Sequence, residues 1–184
     1  KSQVVLFNGR SKHFMPPPVK LFNDEIYYVE SAVHLGSHIG RNAHQLNVDK
    51  AKRDLIVQTN SLVSPFRYCP SGVLRSLFKT YCSTFYGAPL WGLDDRRLSL
   101  LTLTWRKCIH KLFGLSNRTC SKYLPLLMKQ ADLQSQLKAR FASFWSKCIS
   151  SSNDLVSMCA KLAITSNSIT SSNLTAIANC LEYF

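Results

Sequence analysis

The sequence predicts a mainly α protein, in which a small N-terminal antiparallel β segment is followed by a helical bundle. Up to about residue 40 the apolar residues come in short runs punctuated by turn residues; from about Asn47 they recur every three or four positions. The 184 residues, 46% of them hydrophobic, can bury the core of one medium domain with an appendage. Three segments follow from the pattern: 1–44, 45–127 and 128–184.

Val4-Val5-Leu6-Phe7 is a strand-like run closed by the turn pair Asn8-Gly9. Arg10 to Pro18 holds three consecutive prolines and reads as a loop. Val19–Phe22 and Glu25–Tyr28 flank Asn23-Asp24 as a hairpin, and Val33 to Gly40 reads as one further strand. The first helix gathers Val48, Ala51, Leu55, Leu62 and Phe66 on one face and ends at Ser64-Pro65. A second starts near Ser71 as N-cap, with a stripe of Val73, Leu74, Leu77, Phe78, Tyr81, Cys82 and Phe85, and is limited by Pro89. A third runs from about Leu93 to Phe113, with Asp94 and Asp95 at its positive end and Gly114 as its stop. Lys122–Met128 is broken by Pro125. Asp132 caps a helix carrying Leu133, Leu137, Phe141, Phe144, Trp145 and Cys148. Asn153 or Asp154 opens another through Val156, Cys159 and Leu162, and Thr165–Asn173 is a loop before a last short helix.

Charge is the strongest compositional signal. Lys and Arg number 23 against 10 Asp and Glu, a net charge of +13, which calls for an acidic partner. Between Asp95 and Asp132 lie eight Lys or Arg residues and no acid, whereas a merely solvated face mixes signs. On the third helix Leu98, Leu101, Trp105, Cys108, Ile109 and Leu112 share one side. Arg96, Arg97, Arg106, Lys107, His110 and Lys111 gather on the other, with Leu100 and Leu103 among them. Lys50, Lys52, Arg53, Arg75 and Lys79 add cations on the preceding helices, and such residues would hold a phosphate backbone without reading bases.

Other chemistries find less support. The seven cysteines form no CxxC, so a zinc ribbon or dithiol motif is not indicated; free thiols point to a reducing, intracellular setting, cytoplasm and nucleus. No apolar run reaches the ~18 residues of a membrane span. His34 and His38 would share a face of a continuous strand, with His44 nearby, but no carboxylate or thiol sits beside them at ligand spacing, so a metal site is not expected. Cys82 lies in an apolar stripe, which opposes a nucleophilic role with His110. Trp91, Trp105 and Trp145 could stack on bases, but each sits within an apolar run, where core packing is the simpler reading.

Four stretches, in order, resemble the C-terminal part of a reverse transcriptase from a non-LTR (LINE-type) retrotransposon. Lys1-Ser2-Gln3-Val4-Val5-Leu6-Phe7 is similar to the strand after the active-site hairpin, and Val33-His34-Leu35-Gly36-Ser37-His38-Ile39-Gly40 to the primer-grip region that closes the palm. Leu77 to Trp91, LFKTYCSTFYGAPLW, resembles the thumb pattern LFxxYCxSxLYGxxLW, and Trp105 to Leu115, WRKCIHKLFGL, the helix that follows it. The similarity runs to about residue 127 and loosens beyond.

The resemblance implies that residues 1–44 end a polymerase palm, with His34, Leu35 and Gly36 near the primer terminus. It implies that 45–127 form the thumb and that 128–184 are a helical extension. Lys1 would match a lysine near the incoming nucleotide's phosphates. The implied partners are an RNA template with a DNA primer, held as a hybrid duplex, and the remainder of the palm. Arg96, Arg97, Arg106, Lys107, Lys111, Lys50, Arg53, Arg75 and Lys79 are the expected backbone contacts. The family's Ala-Asp-Asp hairpin would lie upstream of Lys1, so these residues alone are expected to be catalytically inert. They would hold no cofactor, although two Mg ions belong to the full polymerase. With no initiator Met, the chain reads as a piece of a longer polypeptide. The alternatives are a catalytically inert basic helical protein–protein interaction module and, more weakly, a basic helix lying on a membrane surface.

Overall fold

The computed structural model describes residues 2–5, 17–22, 24–40, 43–91, 96–116 and 118–165. The expectations for Lys1, the Asn8-Gly9 turn, most of the proline-bearing loop, Leu93 to Asp95 and the segment after Thr165 fall outside them. Among the described residues the chain is mainly helical, with short strands at its N-terminal end. It divides between Asn47 and Val48 into two compact units.

Among its described residues the first unit holds three two-stranded pairs. Strand β2 (Val19–Leu21) pairs antiparallel with β3 (Asp24–Ile26), and β5 (Ser31–His34) pairs antiparallel with β6 (Ser37–Gly40). Strand β1 (Val4–Val5) pairs with β4 (Tyr28–Val29) in parallel, a departure from the antiparallel expectation. Only a short connection forces two strands to run in opposite directions. More than twenty residues separate β1 from β4.

The expected single strand Val33–Gly40 is in fact a hairpin. Leu35 and Gly36 adopt φ of 48° and 79°, the paired left-handed conformation of a two-residue turn that matches strand twist. Directly opposed residues share a face. Val33 therefore lies with His38 and His34 with Ser37, so the two histidines point to opposite sides. Asn47 braces this hairpin. Its Oδ1 accepts the His38 N–H at 2.8 Å and its Nδ2 donates to His38 O at 2.9 Å, standing in for a neighbouring strand.

Helix α1 (Ala43–Val63) begins four residues earlier than expected and buries Val48, Leu55, Thr59 and Leu62. Helix α2 (Ser71–Leu77) starts after Pro70, so Ser71 is its first helical residue and not its cap. It passes into a π-helical turn over Phe78–Cys82, which adds a residue to the turn. Leu74, Phe78, Cys82 and Phe85 are buried, while Val73 and Tyr81, expected on the same stripe, are exposed. Left-handed Phe85 and Gly87 then reverse the chain into a 3₁₀ turn over Ala88–Leu90, which carries Pro89.

Helix α3 (Arg96–Leu112) buries all six residues assigned to its apolar side. Gly114, at φ 61°, closes it: Leu115 N–H reaches back to His110 O at 2.9 Å and Gly114 N–H to Lys111 O at 3.3 Å. A 3₁₀ turn over Ser121–Tyr123 leads into α4 (Leu124–Met128). There Pro125 sits in the first turn, where it starts a helix and does not break one.

Helix α5 (Leu133–Ile149) packs on α3, on the Ala88–Leu90 turn and on α6 (Asp154–Thr165). Asn153 caps α6 by accepting from Leu155 and Val156 N–H. That helix buries Ser157 and Ala160 and exposes Val156, Cys159 and Leu162, the reverse of the expected stripe. Small side chains let α6 approach α5 closely. Leu55, Phe78, Trp105, Leu124, Leu137 and Phe141 belong to one cluster, so the expected segments 45–127 and 128–184 share a core.

Gly40 and Gly72 give a paired test of this packing. A Cβ on Gly40, at φ 115°, would lie 2.3 Å from Glu30 O, whereas one on Gly72 finds nothing nearer than 3.7 Å. Gly40→Ala should destabilise the β5–β6 hairpin by roughly 2–4 kcal/mol. Gly72→Ala, within α2, should stabilise by about 0.5–1 kcal/mol. Hydrogen exchange of the hairpin amides checks the first and the urea midpoint the second.

Candidate nucleic-acid interface

Two links set α3 alongside α1. Arg97 Nη1 meets Asp49 Oδ2 at 3.4 Å, and Lys111 Nζ donates to Asn60 Oδ1 at 2.7 Å. Both links advance in the same direction along each helix, so the helices run parallel. At 1.5 Å per residue the links are roughly 16 Å apart on α1 and roughly 21 Å apart on α3. The spacing of three and four residues places Asp49, Arg53, Ile56 and Asn60 along the edge of α1. It places Arg97, Leu100, Thr104, Lys107 and Lys111 along the facing edge of α3.

This seam gathers most of the predicted cations. Arg53, Arg96, Lys107 and Lys111 are exposed, while Lys50 and Arg97 are half-buried. Arg53, Arg96 and Lys107 make no hydrogen bond or ion pair with another described residue. Lys50 and Arg97 do interact with neighbours. Between the cations lie Ile56, Leu100 and Leu103, exposed to 40%, 44% and 51%. The surface is therefore a basic strip with an apolar floor.

Three predicted cations are used otherwise. Arg106 donates through Nε and Nη2 to Asp132 Oδ1, at 3.3 and 3.0 Å. Asp132 occupies the N-cap position of α5 without a side-chain capping bond; its carboxylate goes to Arg106 instead. Arg75 donates to Leu127 O at 3.2 Å and Lys79 to Lys129 O at 3.3 Å, so both satisfy carbonyls at the end of α4. Cations there also oppose the negative end of a helix. Arg140, which sequence reasoning missed, does the same for the reversal after Cys82, donating to Thr84 O at 2.6 Å and Ser83 O at 3.2 Å. No local pattern marks it, because those carbonyls lie more than fifty residues away.

The predicted primer-grip residues occupy the tip of the β5–β6 hairpin. His34, Leu35 and Gly36 are all exposed, Leu35 to 75%. Among the described residues no group of three or more His, Cys, Asp or Glu side chains could hold a metal ion. No helix among them is long and apolar enough to cross a membrane.

Beneath the seam is a buried hub. Thr59, fully buried, donates to Leu55 O at 2.7 Å, and the thiols of Cys82 and Cys108 lie beside it. Burial pushes the Cys82 thiol up to about 11, against a weaker opposing pull from Thr59, and raises Cys108 for the same leading reason. Both thiols are therefore protonated and inert at neutral pH. Trp91 and Trp105 are buried and Trp145 half-buried, as core packing requires.

No family model, curated protein or solved structure matches the chain.

Two outcomes are expected of these contacts. A thiol whose titration is raised in the fold stabilises it below the unfolded value of 9.0, and that stabilisation disappears as pH rises through about 11. The melting temperature should accordingly fall between pH 9 and 11 in the wild type and fall less in Cys82→Ala, measured against each protein's own value at pH 8. Arg106→Ala leaves Asp132 unpaired and should cost roughly 1–2 kcal/mol, whereas Lys107→Ala should change stability by less than about 0.5 kcal/mol. Urea denaturation of the two variants measures the contrast.

Proposed function

We propose that this chain is the end of the palm and the thumb of a non-LTR reverse transcriptase, and that its α1–α3 surface grips an RNA–DNA hybrid by the sugar–phosphate backbone. The observation that carries the reading is the cation strip: Arg53, Arg96, Lys107 and Lys111 stand exposed along one seam, on a stretch that has no acidic residue from 96 to 131. The family-like stretches support it, because the WRKCIHKLFGL segment supplies the C-terminal half of α3, with Lys107 and Lys111 on this surface. Flexible lysines and arginines spaced along a helix neutralise phosphates without demanding a base sequence. Ile56, Leu100 and Leu103 offer a low apolar floor suited to the wide, shallow minor groove of an A-like duplex. Exposed His34 and Leu35 at a rigid two-residue turn would meet the primer end.

The same three exposed apolar residues favour a second reading, a protein-interaction module that docks an acidic partner on the strip. Salt separates the two. Binding to a 16-base-pair RNA–DNA hybrid should weaken with a slope of about −3 to −4 in log K against log salt, without sequence preference. Lys107→Glu with Lys111→Glu should lower that affinity about 30-fold or more at 0.15 M salt while leaving the melting temperature within a few degrees. Hybrid binding that survives this double reversal would remove α3 from the interface and leave the protein-docking reading.

A further inference from the structure

We propose that Ser99 is a phosphorylation site for an arginine-directed serine kinase, and that phosphate placed there switches off the α1–α3 surface. The switch rests on the duplex-binding reading above; the phosphorylation itself does not. Arg96-Arg97-Leu98-Ser99-Leu100 sets guanidinium groups three and two residues before an exposed serine, with an apolar residue directly after it. Kinases of this class hold those two groups with carboxylates, which pair with the guanidinium fork more tightly than with a lysine. No other pair of adjacent arginines occurs in the 184 residues. Ser121 and Ser143 have an arginine only at the third position before them, and the one before Ser143, Arg140, is held by the carbonyls of Ser83 and Thr84.

The Ser99 side chain itself is exposed. Thr102 and Thr104 donate their hydroxyls back to Leu98 O and Leu100 O, but the Ser99 hydroxyl makes no hydrogen bond with a described residue. Leu100 is 44% exposed. Arg97 is half-buried and held by Asp49 at 3.4 Å among other neighbours, so a kinase must draw it out of these contacts. Ser99 lies in the first turn of α3, whose N–H groups have no acceptor within the helix. Opening that turn into the extended form a kinase holds breaks the bonds its carbonyls accept, those from Thr102 and Thr104 included, and lifts Leu98 from the core, so this local opening limits the rate of modification.

In the reaction Ser99 Oγ attacks the γ-phosphorus of ATP. The new O–P bond forms as the bond from that phosphorus to the β–γ bridging oxygen breaks, ADP leaves with the electron pair, and the hydroxyl proton passes to the kinase's carboxylate base. The product carries roughly −1.5 to −2 charges on the exposed strip that also holds Arg96, Leu103 and Lys107. It is favoured at a helix N-terminus and lies one turn from Arg96, so it is retained by the helix while it cancels the cations a duplex would need.

The test incubates residues 1–184, folded, with radiolabelled ATP and the catalytic subunit of a cyclic-AMP-dependent kinase. The expected result is close to one phosphate per chain, mapped to Ser99, absent in Ser99→Ala and slowed about tenfold or more in Arg96→Ala. Undiminished label in Ser99→Ala, or label only after heat unfolding, overturns the site. The phosphorylated protein should then bind the RNA–DNA hybrid on the order of tenfold more weakly than the unmodified one. Equal binding overturns the switch alone. If the unmodified protein binds no hybrid, the duplex reading and the switch fall together, while mapped phosphate on Ser99 still stands.

Discussion

The second unit depends on burying one face of α3. Leu98, Leu101, Trp105, Cys108, Ile109 and Leu112 form a continuous apolar side, and Trp105 is among the largest fully buried side chains described. Losing a buried residue of that size costs about 3–5 kcal/mol, a large part of the margin by which a domain this size is folded. Once that face is fixed inward against the cluster shared with α1 and α5, helical geometry leaves Arg96, Lys107 and Lys111 nowhere to go but outward. The exposed strip is thus a consequence of the core and not a separate feature laid on the fold.

The positive charge divides into two populations with different work. Arg75, Lys79 and Arg140 satisfy backbone carbonyls at chain ends and reversals, and Arg106 neutralises a half-buried carboxylate. At part-buried Leu127 O, Ser83 O and the Asp132 carboxylate this removes an unpartnered group costing about 1–3 kcal/mol, whereas water would serve the exposed carbonyls of Lys129 and Thr84. Arg53, Arg96 and Lys107 bring no comparable return to the fold. Their proximity on one seam adds self-repulsion, which Asp49 on the edge of α1 offsets only in part. These cations are the ones left for the proposed duplex contact, whereas the carbonyl-binding cations are already engaged by the fold.

Much of this was legible in the sequence, and the failures share a cause. The inward face of α3, its Gly114 stop and the start of α6 follow from local spacing and cap chemistry, so they could be read residue by residue. The first unit was harder. Leu35-Gly36 lacks the Asn-Gly signature of a tight turn, so the hairpin looked like a strand and His34 and His38 were set on one face. On α6 the apolar count pointed to Val156, Cys159 and Leu162, yet close approach to α5 selected Ser157 and Ala160. The site was legible as a charge stripe but not in its division of labour, because the partners of Arg75, Lys79, Arg106 and Arg140 lie 26 to 57 residues away.

The division also explains why Arg106 and Lys107, neighbours in sequence, should not be treated as one basic pair. Successive residues on a helix are turned by about 100°, so Arg106 faces Asp132 at the start of α5 while Lys107 faces the seam with α1. Arg106 holds α5 to α3 and thereby keeps α3 oriented, whereas Lys107 is presented by that orientation. Charge at 106 is thus a condition for the surface and charge at 107 is part of it. A combined reversal at both positions would confound loss of the scaffold with loss of the contact.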